Sequence, residues 1–322
     1  MNTLLIEIGA EEIPAGYICP ALDAFEQSML SALKQARINH KTSKTYGTPR
    51  RLALIIEGVA DQQTARTSKL TGPPESVGFD SDGNPTIAGK KFAEKAGIPI
   101  ESVVIEETPK GKYLTAVVEE KCESAAVILE NMLEEKILAI PFPKRMRWGD
   151  LSVSFARPII SLTGLLGEQV LNFRVGNIQS DACIAGHSFM SPRKYELASA
   201  DRYLETALSG GVVPDIDERR TRLVEAVETC AKEYGAQVLE DEELVDIVTN
   251  LVESPYPVVG EFDPEFLEVP DEVLITAMRE HQKYFALVDA QGRLKPLFIA
   301  VNNTDAKDPA LVAKGHEKVL RA

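Results

Sequence analysis

Leu4-Leu5-Ile6-Glu7-Ile8 is a short, largely apolar run that ends at Gly9. Its length and its terminating glycine predict a buried strand rather than a helix. The turn Ala10-Glu11-Glu12-Ile13-Pro14 follows. Leu22, Phe25, Met29 and Leu33 then recur at helical spacing and predict a helix over about 20–36. Arg51-Leu52-Ala53-Leu54-Ile55-Ile56-Glu57 predicts a second strand, giving a β-α-β opening.

Working outward, 71–75 and 81–85 are rich in Gly, Pro and Asp and predict a loop, with a short helix over 88–96. Strands at 103–105 and 113–118 predict a hairpin turning at 109–112. A helix over 123–138 is stopped by Pro141 and Pro143. Strands are expected near 152–156 and 168–175, and helix over 201–250 with breaks at Gly210-Gly211 and Pro214. The segment 240–272 holds twelve acidic residues and no Lys or Arg, which reads as a solvated acidic face. A last strand pair is expected at 284–288 and 297–301, then a helix over 310–322 that stops without a capping residue. The fold class is α+β: mixed sheets with packed helices, in units 1–60, 61–140 and 141–322.

With 49 acidic and 35 basic residues, the chain has a net charge of −14, which disfavours diffuse binding to polyanions or anionic lipid. A nucleic-acid partner must therefore meet a local cationic patch. Cys19, Cys122, Cys183 and Cys230 form no close pair, so no zinc site is expected. With no basic, apolar leader and no membrane-length apolar stretch, the expected setting is the cytoplasm.

Phosphate-gripping glycine loops, nucleophile elbows and paired zinc ligands are absent: His316-Glu317 begins H-E-x-x-H, but Leu320 stands at the last position. No catalytic, cofactor-binding or metal-binding residue is assigned. Lys41-Thr-Ser-Lys-Thr45 reads as a basic turn. Two segments concentrate cations: Tyr46-Gly-Thr-Pro-Arg-Arg51, and Phe142-Pro-Lys-Arg-Met-Arg-Trp-Gly149 followed by Phe155-Ala-Arg-Pro158. Arginine and lysine beside an aromatic ring suit phosphate contact and base stacking. Arg50, Arg51, Lys144, Arg145, Arg147 and Arg157 are the candidate RNA contacts. Trp148 serves equally as a stacking ring or as a core anchor.

Together with Leu4–Pro14, Gly72-Pro-Pro74, Gly186-His187, Met278-Arg-Glu-His-Gln-Lys-Tyr-Phe285 and Val319-Leu-Arg-Ala322, these segments form an ordered set across the chain. That set resembles the β subunit of the bacterial heterotetrameric glycyl-tRNA synthetase. Arg145 stands where the family often has serine, and Ser188 where it often has arginine, which puts the cationic surface near His187 in question. The resemblance implies a longer protein with HD-type and anticodon-binding domains beyond this chain. Part of the region looks like the editing-type domain of phenylalanyl-tRNA synthetase β chains. The implied function is support of ATP-dependent glycine–tRNA ligation in an α2β2 assembly, with ATP and Mg²⁺ used by the class II α subunit and tRNA(Gly) as partner. The present region alone is expected to be inactive. The alternatives are an editing-type hydrolase using His187 or His281, or a scaffold without RNA contact. Against the hydrolase, His281 is expected to be hydrogen-bonded and structural, with Arg279 and Lys283 on one helix face.

Overall fold

The computed structural model of the protein describes residues 1–109, 111–119 and 121–321. It opens with β1 (Asn2–Ala10), α1 (Ala15–Gln35), β2 (Ser43–Thr48) and β3 (Arg51–Val59). There follow β4 (Thr67–Pro74), α2 (Glu75–Gly78), α3 (Ile87–Ala96), β5 (Val104–Thr108), β6 (Gly111–Glu119) and α4 (Ala125–Leu138). Next are β7 (Ile159–Leu166) and the short strands β8 (Gln169–Val170), β9 (Arg174–Val175), β10 (Ile178–Gln179), β11 (Cys183–Ala185) and β12 (Lys194–Glu196). Then come α5 (Tyr203–Ser209), α6 (Ile216–Glu233), β13 (Gln237–Val238), α7 (Glu242–Thr249) and β14 (Tyr256–Glu261). The chain closes with α8 (Asp271–Ala277), β15 (Phe285–Val288), β16 (Leu294–Asn302) and α9 (Pro309–Arg321). Two compact units result: Met1–Asp61 with Ala126–Ala322, and Gln62–Ala125.

In the larger unit β1 lies at the middle of a five-stranded sheet of order β2-β3-β1-β7-β8. It runs antiparallel to β3 and to β7, pairing Glu7 with Ala53 on one side and with Thr163 on the other. The sheet thus crosses the division expected near residue 140, because the first sixty residues and β7 share one hydrogen-bonded layer. Alternation along β1 sends Leu4, Ile6 and Ile8 to one face and Leu5 and Glu7 to the other. Leu5 packs with Leu165, Ile184, Leu197 and Tyr203. On α1, Ile18, Leu22, Phe25, Met29 and Leu33 are all buried. Gly47 lets β2 lie against that helix: a Cβ there would fall 2.8 Å from Leu22 Cδ1.

The second sheet of this unit has the order β13-β15-β16-β14. Phe285, Leu287, Leu297 and Ile299 meet Leu223, Val227, Leu244 and Val248 of α6 and α7. On the opposite face Tyr284, Ala286 and Phe298 pack with Met278, and with Val312 and Leu320 of α9. Each fully buried aliphatic or aromatic side chain here contributes about 1.5–3 kcal/mol.

The smaller unit is a three-stranded sheet, β4-β6-β5, with α2 and α3. Leu114 and Ala116 of β6 are buried in it, as are Ala93 and Ala96 of α3. Thr86 caps α3 by accepting from Gly89 N, and Gly97 ends it in the left-handed region at φ 68°.

The α+β class holds, and several sequence-based boundaries move. The opening is not a parallel crossover, since β1 and β3 are antiparallel neighbours. Lys41–Thr45 is not a basic turn: Ser43–Thr48 forms β2, paired to β3. α1 starts five residues early and carries Pro20 inside it. Residues 71–74, expected as loop, end β4. Where a strand was expected at 152–156 there is only an isolated bridge between Met146 and Phe155, and the long strand lies at Ile159–Leu166. The expected 201–250 helix contains β13, and the acidic run contains β14. The hairpin forms as β5–β6; Lys110 of its turn, and Ala322 of the last helix, lie outside the described residues.

Candidate nucleic-acid interface

The turn after β1 collects the two cationic segments. Ala10 N donates to Arg50 O (2.9 Å) and Glu11 N to Pro158 O (3.0 Å), so residues a hundred apart in sequence flank two successive backbone amides. The Arg50 guanidinium sits 3.1 Å from Glu11 and 3.9 Å from Glu12 and stays partly accessible. Arg157 is half-buried, donating from Nη1 to Ala156 O at 3.0 Å. Lys144 and Arg147 are exposed and make no ion pair among the described residues.

Arg51 is removed from the six candidates by its surroundings, and Arg145 is engaged by the chain's own backbone. The Arg51 side chain is only 4% exposed; it lies 3.1 Å from Glu253 and 3.4 Å from Glu7 and donates to Ala185 O at 3.1 Å. Burial opposes its charge, but Glu253 and Glu7 outweigh burial and hold its pKa above the ordinary arginine value. A guanidinium so enclosed cannot reach a phosphate, and its expected RNA contact is corrected on that ground. Arg145 spends its guanidinium on the chain's own carbonyls, Leu138 O at 2.6 Å and Ser154 O at 2.7 Å. It closes the carboxyl end of α4 while remaining exposed.

Around Arg51 the buried network continues. Glu7 accepts from Tyr203 Oη at 2.7 Å, and Glu253 from Thr48 Oγ1 at 2.8 Å. Burial pushes the Glu7 carboxyl upward against the pull of Arg51. Arg219, also buried, donates to Thr249 O, Val213 O and Gly47 O, tying α6 to β2, and burial lowers its pKa to about 10.

Above Glu7 and Arg51 opens a pocket of about 260 Å³, rimmed by Arg50, Arg193 and Lys194. Arg193 and Lys194 were missed in the sequence, although Pro192-Arg-Lys194 follows the Gly186-His187 signature closely. They set two cations beside Ser188 on the lining of the pocket. In the second segment the anchor is Phe142, edge-on to Phe155 at 4.8 Å and 6.3 Å from Tyr17; Trp148 is partly buried without such a partner among the described residues.

The histidines do not assemble a hydrolytic centre. His187 is fully buried, and its Nδ1 accepts from Phe189 N and Met190 N at 3.2 Å each, so its proton sits on Nε2. His281 is exposed and its side chain makes no hydrogen bond among the described residues, contrary to the structural role expected of it. Arg279 and Lys283 do not share a helix face, because Met278–Gln282 winds as a π-turn and Lys283 takes φ 58°. Among the described residues no three His, Cys, Asp or Glu stand together as a metal site, and no helix is long and apolar enough to cross a membrane.

The chain has close relatives among known proteins along its whole length. A family model described as the glycyl-tRNA synthetase beta subunit matches residues 4–322. The glycine–tRNA ligase beta subunit of Desulforapulum autotrophicum is 62% identical over 322 residues, covering 100% of this chain and 47% of the relative. That of Desulfatibacillum aliphaticivorans is 52% identical over the same span, and that of Myxococcus xanthus 46% over 319 residues. The chain spans about half the length of the curated relatives it matches. A match that runs nearly end to end, at identities this high, makes the chain a member of the glycyl-tRNA synthetase beta subunit family.

Proposed function

We propose that the protein works as the β chain of a glycine–tRNA ligase. In this reading a separate class II α subunit, in an α2β2 assembly, binds glycine, ATP and Mg²⁺ and performs the ligation. The present region supplies no reacting group and makes no glycyl-tRNA by itself. It holds tRNA(Gly) through Arg50, Lys144, Arg147 and Arg157, joined by Arg193 and Lys194 at the pocket rim. The observation that carries the reading is the turn at Ala10-Glu11, where backbone hydrogen bonds draw the Arg50 and Arg157 segments to one place.

Each cation on a phosphate releases counterions, so the salt slope of binding counts such contacts. In the full-length protein with its α subunit, Arg50→Ala with Arg157→Ala weakens tRNA binding and flattens log K against log salt by roughly one unit per lost contact. ATP–pyrophosphate exchange driven by glycine stays near its original rate. An unchanged slope defeats the assignment.

A further inference from the structure

Phe189 is 79% exposed, the most exposed large apolar side chain among the described residues. It is not left on a slack loop. Buried His187 accepts from the backbone N–H groups of Phe189 and Met190, and Ser191 N donates to His187 O at 2.9 Å. Gly186 N donates to Arg193 O at 2.9 Å, and Ser191 Oγ meets Tyr195 Oη at 2.6 Å. A Cβ on Gly186 would lie 2.5 Å from Ser191 O, so only glycine closes the turn this tightly. Such a scaffold holds the backbone that carries Phe189 in place in advance of any partner, which lowers the entropy cost of ordering the loop on binding.

Ser188, one residue before Phe189, lines the 260 Å³ pocket whose rim carries Arg50, Arg193 and Lys194. That space has room for about nine waters, enough for a phosphate and part of a sugar. Lys194 is shared with Asp181 at 3.3 Å and Arg50 with Glu11, whereas Arg193 lies over the Tyr195 ring and has no carboxylate partner among the described residues. The buried Glu7 at the floor is already engaged by Arg51 and Tyr203. The exposed ring is thus one residue from the pocket lining, on the same short loop as Arg193. Unpaired nucleotides need both features, since bases stack on aromatic faces and phosphates seek arginine.

We propose that the 186–194 loop takes a single-stranded RNA end, one base stacking on Phe189 and the adjoining phosphate resting against Arg193 at the pocket rim. The proposal rests on the tRNA-binding reading above and adds to it the strandedness of the RNA and the residue that detects it.

The test measures binding of the full-length protein to an RNA hairpin with a short single-stranded 3′ tail, against the same hairpin blunt-ended. Wild type prefers the tailed RNA. Phe189→Ala cuts that preference roughly tenfold, the size of one lost base stack. Phe189→Trp, which keeps an aromatic face at the loop, retains the preference. Arg193→Ala flattens the salt slope by about one unit. An equal preference in Phe189→Ala and wild type overturns the proposal. So does a Phe189→Ala protein that binds tailed RNA normally but no longer associates with its α subunit, which makes the loop a protein contact. Salt-dependent binding without any tail preference defeats the stacking proposal alone, while absence of salt-dependent RNA binding defeats the tRNA reading beneath it.

Discussion

The β1-centred sheet and the β16-centred sheet sit in one compact unit, and both carry arginine–carboxylate networks, yet they hold them in different media. Around β1 the side chains of Glu7, Arg51 and Glu253 are 2%, 4% and 1% exposed. Around β16 the networks lie in water: Arg220 with Glu242 and Asp246, Arg222 with Glu218, and Arg279 with Asp241, Glu243 and Glu280. Removing one member of a buried pair strands a charge, whereas surface pairs are screened and offset by side-chain entropy. The same ion-pair motif is thus a structural requirement in one place and a surface ornament in the other.

Charge is divided along the same line. Residues 215–280 contain nineteen acidic and five basic side chains, and that excess equals the whole chain's net charge of −14. The remaining residues hold thirty of each sign. Net charge therefore says little against a cationic surface around Arg50, Arg193 and Lys144, because the negative excess is confined to residues 215–280, of which only Asp215 and Glu253 form ion pairs with β2 and β3 among the described residues.

The sharpest way to break this comparison is to strand the buried charges. Arg51→Ala leaves Glu7 and Glu253 unpaired and lowers unfolding free energy by about 3–5 kcal/mol, read from urea denaturation of the chain. A loss no greater than for a surface arginine would erase the distinction between the two sheets.

A smaller effect sharpens it on the β16 side. His316 Nδ1 accepts from Tyr284 Oη at 2.8 Å, while Nε2 lies 3.1 Å from Asn302 Oδ1. Burial lowers its pKa, so the unfolded chain takes up the proton first. The stabilisation is complete above the ordinary histidine value of about 6.5 and is lost as pH falls through the lower folded value. Melting temperature should fall on acidification over that range, and His316→Gln should flatten the descent. An identical pH profile in His316→Gln would remove the histidine from the account.

The smallest change is expected at Arg279, despite its three carboxylate neighbours. Arg279→Ala should shift the urea midpoint far less than Arg51→Ala, and high salt should remove what shift there is. A large, salt-insensitive shift would mean that this network acts as a buried one.

Much of the secondary structure was legible in the residues. The apolar run at 4–8, the helical spacing of Leu22, Phe25, Met29 and Leu33, and the β15–β16 pair all appear where they were expected. β2 was hidden because Ser43-Lys-Thr-Tyr-Gly-Thr48 carries few apolar residues: it owes its place to β3 and to the close approach of Gly47 to α1. β7 was hidden by the polar residues Ser161 and Thr163, which are acceptable there because Thr163 donates to Cys183 O at 2.6 Å.

For the candidate interface, sequence could nominate cations but not sort them. Arg50 and Arg51 are neighbours, yet Arg50 lies in the turn before β3 and reaches Glu11, whereas Arg51 opens β3 and points into the core. Their partners stand 39 and 202 residues away, a separation no local pattern encodes. By itself, the sequence determined the family, the α+β class and the main apolar segments, since local spacing and ordered motifs carry that information. Only the tertiary structure decided which charges are buried, where the −14 lies relative to the cations, and that Phe189 stands in water on a loop closed by His187. Burial and convergence depend on which distant segments pack together, and a linear pattern does not contain that.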